Sequence, residues 1–199
     1  MGYEVDIRKT DTSDYDFLTG HFGFDAIAPE NCRIVSLIRD PVDRFLSHYY
    51  YWHRRGINGE LSGGDVEVAA NHSLGEFLDL IESGTEMIQL DNLITWMFAG
   101  GFEPWIRREL AHLSQDELLD LAKRNIQSCA VVGRLDDMPR FLDDLKRELG
   151  LELQVSMLNR NQDRMPTDQL PGETLDRIRS YLALDIQLYD WFKTHQTRS

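Results

Sequence analysis

IVSLIRDPVDRFLSHYYYW, residues 34–52, joins an apolar run to an amphipathic helix through a polar corner. Residues 33–38 are short, aliphatic and nearly uncharged, which predicts a strand buried on both faces. Asp40 as N-cap and Pro41 as first helical residue then start a helix, because the missing proline N–H would have had no intrahelical partner. The helix is predicted over residues 41–54. Val42, Phe45, Leu46 and Tyr49 recur at helical spacing on its core side, while Arg44, Ser47 and Tyr51 share another face. Arg39 ends the strand in the same neighbourhood. Ligands of open α/β sheets bind outside the carboxyl ends of strands, and anions favour helix N-termini, so two guanidinium groups and a hydroxyl here point to a phosphate site. The corner reads equally as an ordinary cap with Arg39 paired to a carboxylate, and spacing alone leaves both readings open.

The longer string RDPVDRFLSHYYYW resembles the RDPxxRxxSxYY signature of carbohydrate sulfotransferases related to heparan sulfate 2-O-sulfotransferase and their bacterial relatives. The resemblance implies that Arg39 and Ser47, with Arg44 beside them, hold the 3′-phosphate of the donor 3′-phosphoadenosine 5′-phosphosulfate, without a metal. It also covers TGHFGF, residues 19–24, where the family has a Gly-His element whose histidine deprotonates the acceptor hydroxyl; His21 matches it. From the residues alone, a histidine between two glycines is more often a surface or capping group than a catalyst. The heparan-type enzymes show His-Gly-His, and here the first position is Thr19. LNRNQDRMP, residues 158–166, matches the place of a basic loop that closes over the donor nucleotide, which makes Arg160 and Arg164 candidates.

Length and composition set the frame. The 199 residues suffice for one substantial core, and 42% hydrophobic with 10% aromatic residues is an ordinary globular composition. Residues 1–15 read as an irregular arm and residues 16–199 as one sulfotransferase-like domain. Neither an apolar run long enough to span a membrane nor a secretory leader is visible, so the expected location is cytoplasmic. With 21 Lys and Arg against 34 Asp and Glu the net charge is −13, which argues against broad binding to nucleic acid and makes a neutral saccharide or glycoconjugate a better acceptor than a polyanionic one. Cys32 and Cys129 border apolar runs and read as buried thiols.

Along the chain, residues 16–19 form a strand-like piece, and residues 53–72 are polar, glycine-rich and long enough for a mobile loop over the acceptor. His53, Arg54 and Arg55 there offer cations to a sugar or nucleotide, but read more simply as a solvated basic helix end. Ser73 with Glu76 and Ser114 with Glu117 are capping boxes that open helices. A helix is expected over residues 86–98, and LDNLITWMFAG, residues 90–100, resembles the family's D-N-L-x-T segment; residues 100–112 read as irregular. CAVVG, residues 129–133, is a buried strand, followed by a helix that ends at Gly150, and one C-terminal helical region begins at Pro171.

The resemblance implies an α/β fold, a parallel sheet flanked by helices and akin to P-loop kinases. In that family a strand, a lysine-bearing glycine loop and a helix come before the Gly-His element and bind the 5′-phosphosulfate. This sequence shows no such unit and is expected to be N-terminally incomplete. The expected function is transfer of a sulfuryl group to a carbohydrate hydroxyl, with little turnover by the chain alone; the alternative is a non-catalytic relative that binds an adenosine bisphosphate or a partner.

Overall fold

The computed structural model describes residues 16–21, 23–26, 32–155 and 165–196. It is mostly helical, with a small parallel sheet. Strand β1, Val35–Ile38, pairs in parallel with β2, Val131–Arg134, so that Val35 faces Val131 and Ile38 faces Arg134. The two apolar runs therefore share one sheet, as each run leading into a capped helix predicts. β1 is shorter than expected and is not buried on both faces: Leu37 is 40% exposed, and among the described residues β2 is its only neighbour.

Helix α1, Pro41–Ile57, begins as the sequence dictates. The Asp40 carboxylate accepts from Asp43 N at 3.0 Å, and Pro41 occupies the first turn. The helix continues three residues past the expected end, so Arg54 and Arg55 stand within it. Glycine-rich residues 53–72 are not a loop over a site but a helical hairpin: α2, Gly64–Asn71, lies against α1. Gly56 permits the contact, since a Cβ there would sit 2.6 Å from the Ala70 Cβ.

Helix α3, Leu74–Glu82, carries the Ser73–Glu76 capping box, and α6, Gln115–Ser128, carries that of Ser114 and Glu117. Between them α4, Leu93–Ala99, starts seven residues later than expected, because Asn92 takes the left-handed conformation (φ 42°) and ends the preceding turns. Residues 100–112 are not irregular. They hold α5, Pro104–Leu110, with Pro104 in its first turn and Arg107 donating to the carbonyls of Gly101 (3.0 Å) and Ile88 (2.9 Å). Helix α7, Met138–Leu149, ends at Gly150 in the left-handed conformation, as its sequence predicts. The C-terminal region is two helices, α8, Gly172–Tyr181, and α9, Ala183–His195, broken at Leu182.

The expected strand at residues 16–19 is absent; these residues are exposed, Phe17 by 74%, and the first local element is a 3-10 turn over Phe24–Ala26. Four residues without a partner strand cannot satisfy a ladder. Cys32 is exposed, not buried, and Cys129 is half-buried with its thiol on the Asn125 carbonyl. Residues 1–15 lie outside the described residues.

Three packed groups hold these elements. The inner face of α1 (Phe45, Leu46, Tyr49, Trp52) meets Phe77 and Leu78 of α3 and Ile178 of α8. Ile38 of β1 joins Ile94, Phe98, Leu119, Leu188 and Phe192 in a second group, and Val131 packs on Phe141 and Leu145 in a third. Within the second group a polar clamp ties α4 to α9. Asp185, 1% exposed, accepts from Ile94 N (3.1 Å), Thr95 N (2.7 Å) and Thr95 Oγ1 (2.7 Å), while Asn92 Oδ1 accepts from Leu184 N (2.9 Å) and Asp185 N (3.0 Å). Each residue thus caps the other's helix.

Replacing Asp185 by Ala leaves three buried donors without an acceptor, and the expected loss is about 3 kcal/mol or more in a denaturant titration. An Ala at Gly133 would drive its methyl into the Phe141 ring, and the expected cost is about 1–3 kcal/mol in the same measurement.

Candidate functional site

The outer face of α1 is as polar as its inner face is apolar. Arg39, at the end of β1, and Arg44, Ser47, His48, Tyr51, Arg54 and Arg55 line one cleft of about 280 Å³. From Arg44 onward these residues recur at three, four and seven positions, the stripe that a single helix presents to one side. Four are arginines and none is acidic, in a chain whose net charge is −13.

Among the described residues, two of the four cations pair with a carboxylate and two do not. Arg44 donates to the main-chain carbonyl of Gln89 at 2.9 Å. Burial lowers the Arg44 pKa from its ordinary value, Asp185 opposes this, and Arg107 and Arg39 add to the lowering. Arg39 reaches Asp43 at 3.5 Å across one helical turn, a weak and solvent-screened pair. Arg55 lies 5.4 Å above the Tyr51 ring and 3.1 Å from Glu60. Among the described residues the Arg54 guanidinium has no ion-pair partner.

His48 sits in the wall between Arg44 and Tyr51. Its ring meets Trp52 edge-on at 4.3 Å, and its Nε2 is 3.3 Å from Gln89 Oε1. Burial, then Arg44, then His21 push its imidazole down to about 4 against the opposing bond to Gln89. His48 is therefore neutral at neutral pH.

Arg39, Arg44 and Ser47 thus share one cleft. His21 is exposed and does not line it, yet it stands near enough that its charge disfavours a charge on His48. Arg160 and Arg164 lie outside the described residues; Thr167 Oγ1 donates to Asp43 Oδ1 at 3.0 Å beside the start of α1. The sequence pattern alone does not single out His48, and it reads Arg54 and Arg55 as a solvated helix end ahead of a ligand contact. The signal for all three is the helical stripe itself, carried through to residue 55.

Among the described residues no helix is long and apolar enough to cross a membrane, and no group of three or more His, Cys, Asp or Glu gathers as a metal site. No family model, curated protein or solved structure matches this chain.

The His48 shift has a consequence for stability. Its folded-state pKa lies below the ordinary 6.5, so the unfolded chain takes up the proton first, and stability present above pH 6.5 is lost as pH falls toward 4. The loss from this group is at most about 3 kcal/mol. A His48→Gln variant is expected to show a shallower decline of unfolding free energy between those pH values.

Proposed function

We propose that this chain is a sulfotransferase-type protein whose cleft holds the 3′-phosphate of 3′-phosphoadenosine 5′-phosphosulfate, on a fold akin to P-loop kinases. The observation that carries the reading is one arginine-lined cleft in an acidic chain, in which Arg39, Arg44 and Ser47 stand together at the carboxyl end of a parallel strand and the first turns of the next helix. That is where open α/β sheets bind phosphate groups.

In the reaction so proposed, the acceptor oxygen of a carbohydrate or glycoconjugate attacks the sulfur in line. The bond from sulfur to the bridging oxygen breaks, its electron pair leaves with adenosine 3′,5′-bisphosphate, and the acceptor proton passes to His21. Arg39, Arg44 and Ser47 bind and orient the donor; charge-assisted bonds from arginine to phosphate are the strong kind. A second reading, binding of the bisphosphate without transfer, is favoured by the exposure of His21 outside the cleft lining.

Calorimetry with adenosine 3′,5′-bisphosphate and adenosine 5′-monophosphate tests the site. The bisphosphate is expected to bind more tightly, and Arg39→Ala to weaken it by about 2 kcal/mol, roughly 30-fold. Equal affinity for the two nucleotides would reduce the corner to a structural cap. Transfer from isotopically labelled donor to a panel of saccharides separates the two readings: turnover that falls about 100-fold in His21→Ala supports catalysis, and bisphosphate binding with no transfer supports the second.

A further inference from the structure

We infer that the cleft contains a second anion-binding station, built from Tyr51, Arg54 and Arg55 and separate from the Arg39–Ser47 corner. The inference rests on reading the cleft as an anion site, and its test is independent of the 3′-phosphate assignment.

All three residues line the same cleft as Ser47. Tyr51 is one turn beyond Ser47 and Arg55 one turn beyond Tyr51, so the stripe runs about 12 Å along α1 from Ser47 to Arg55. A single phosphate held at the first turn of the helix, with oxygens a few ångströms apart, does not engage both ends. The far end is also preformed. Arg55 lies over the Tyr51 ring at 5.4 Å with its buried Nε 3.1 Å from Glu60, a contact that is no hydrogen bond, and among the described residues no acceptor takes up its terminal donors. Arg54 has no ion-pair partner among the described residues, and Tyr51, 40% exposed, adds a hydroxyl donor. Between the two stations His48 is neutral, so the cleft wall separates two cationic ends.

The group such a station takes is a phosphate, sulfate or carboxylate. It can come from the second phosphate of a nucleotide that also occupies the corner, or from an acidic group on a co-bound saccharide. The two sources differ in what a loss of Arg54 and Arg55 removes.

The test uses the full chain as wild type, Arg39→Ala and the double variant Arg54→Gln, Arg55→Gln. Each is titrated with adenosine 3′-monophosphate, with adenosine 3′,5′-bisphosphate, and with a glucuronate-containing disaccharide in the presence of the bisphosphate. The double variant is expected to bind the 3′-monophosphate as wild type does. It is expected to lose about tenfold or more on the bisphosphate if the station holds the nucleotide's second phosphate, or on the disaccharide if it holds a carboxylate. Glu60→Gln, which removes the competing carboxylate, is expected to tighten the same probe, an effect that misfolding does not mimic. If Arg39→Ala changes nothing while the double variant loses tenfold, the 3′-phosphate reading fails and the second station stands. Wild-type affinity of the double variant for all three probes would overturn the station.

Discussion

The buried exchange of caps between Asn92 and Asp185 is the constraint on which the rest of the molecule depends. Helices α4 and α9 both begin in the interior, where the free N–H groups of a first turn have no water to bond. Asp185 serves Ile94 and Thr95, and Asn92 serves Leu184 and Asp185, so neither helix is satisfied without the other. Burial raises the Asp185 pKa, while its bonds to Thr95 and Ile94 and the nearby Arg44 pull it back down. The same two helices supply Ile94, Phe98, Leu188 and Phe192, against which Ile38 of β1 is packed. The position of the Arg39 corner therefore follows from a carboxylate and a carboxamide far from it in sequence.

Helix α1 converts that position into a surface. Val42, Phe45, Leu46, Tyr49 and Trp52 fix its rotation against α3 and α8, and the remaining face can then only present Arg44, Ser47, Tyr51 and Arg55 together. Residues carried on a helix with one buried face keep their spacing better than residues on a loop. Arg44 is held by a main-chain carbonyl and not by a carboxylate, so its orientation is set while its charge stays available.

Local signals were legible in the sequence and distant ones were not. Asp40 and Pro41, the two S-x-x-E boxes, Gly150 and the two apolar strand runs each announce a backbone event within a few residues, and each occurs where its pattern placed it. The helical hairpin of α2 was hidden because its apolar stripe is short and its glycines suggest a loop; the close approach of Ala70 and Val66 to Gly56 and the burial of Ala69 against the first group are tertiary contacts that no local pattern shows. Asp185 reads as one more polar residue on an amphipathic helix, since its partners lie about ninety positions away. Of the site, Arg39, Arg44 and Ser47 follow from one motif, whereas the nearness of His21 to His48 is a tertiary contact that no local pattern announces.

A cleft of cations inside an envelope of net charge −13 also makes ionic strength act in two directions on any anion that enters it. At low ionic strength, where the Debye length is well above its value of roughly 8–10 Å at physiological salt, an approaching anion feels mainly the excess of carboxylates and is slowed. Within the cleft it feels the arginines, partly shielded from solvent, and is retained. Added salt screens the long-range repulsion before it reaches the contacts inside, so arrival quickens while release quickens less steeply than it would from an open basic surface.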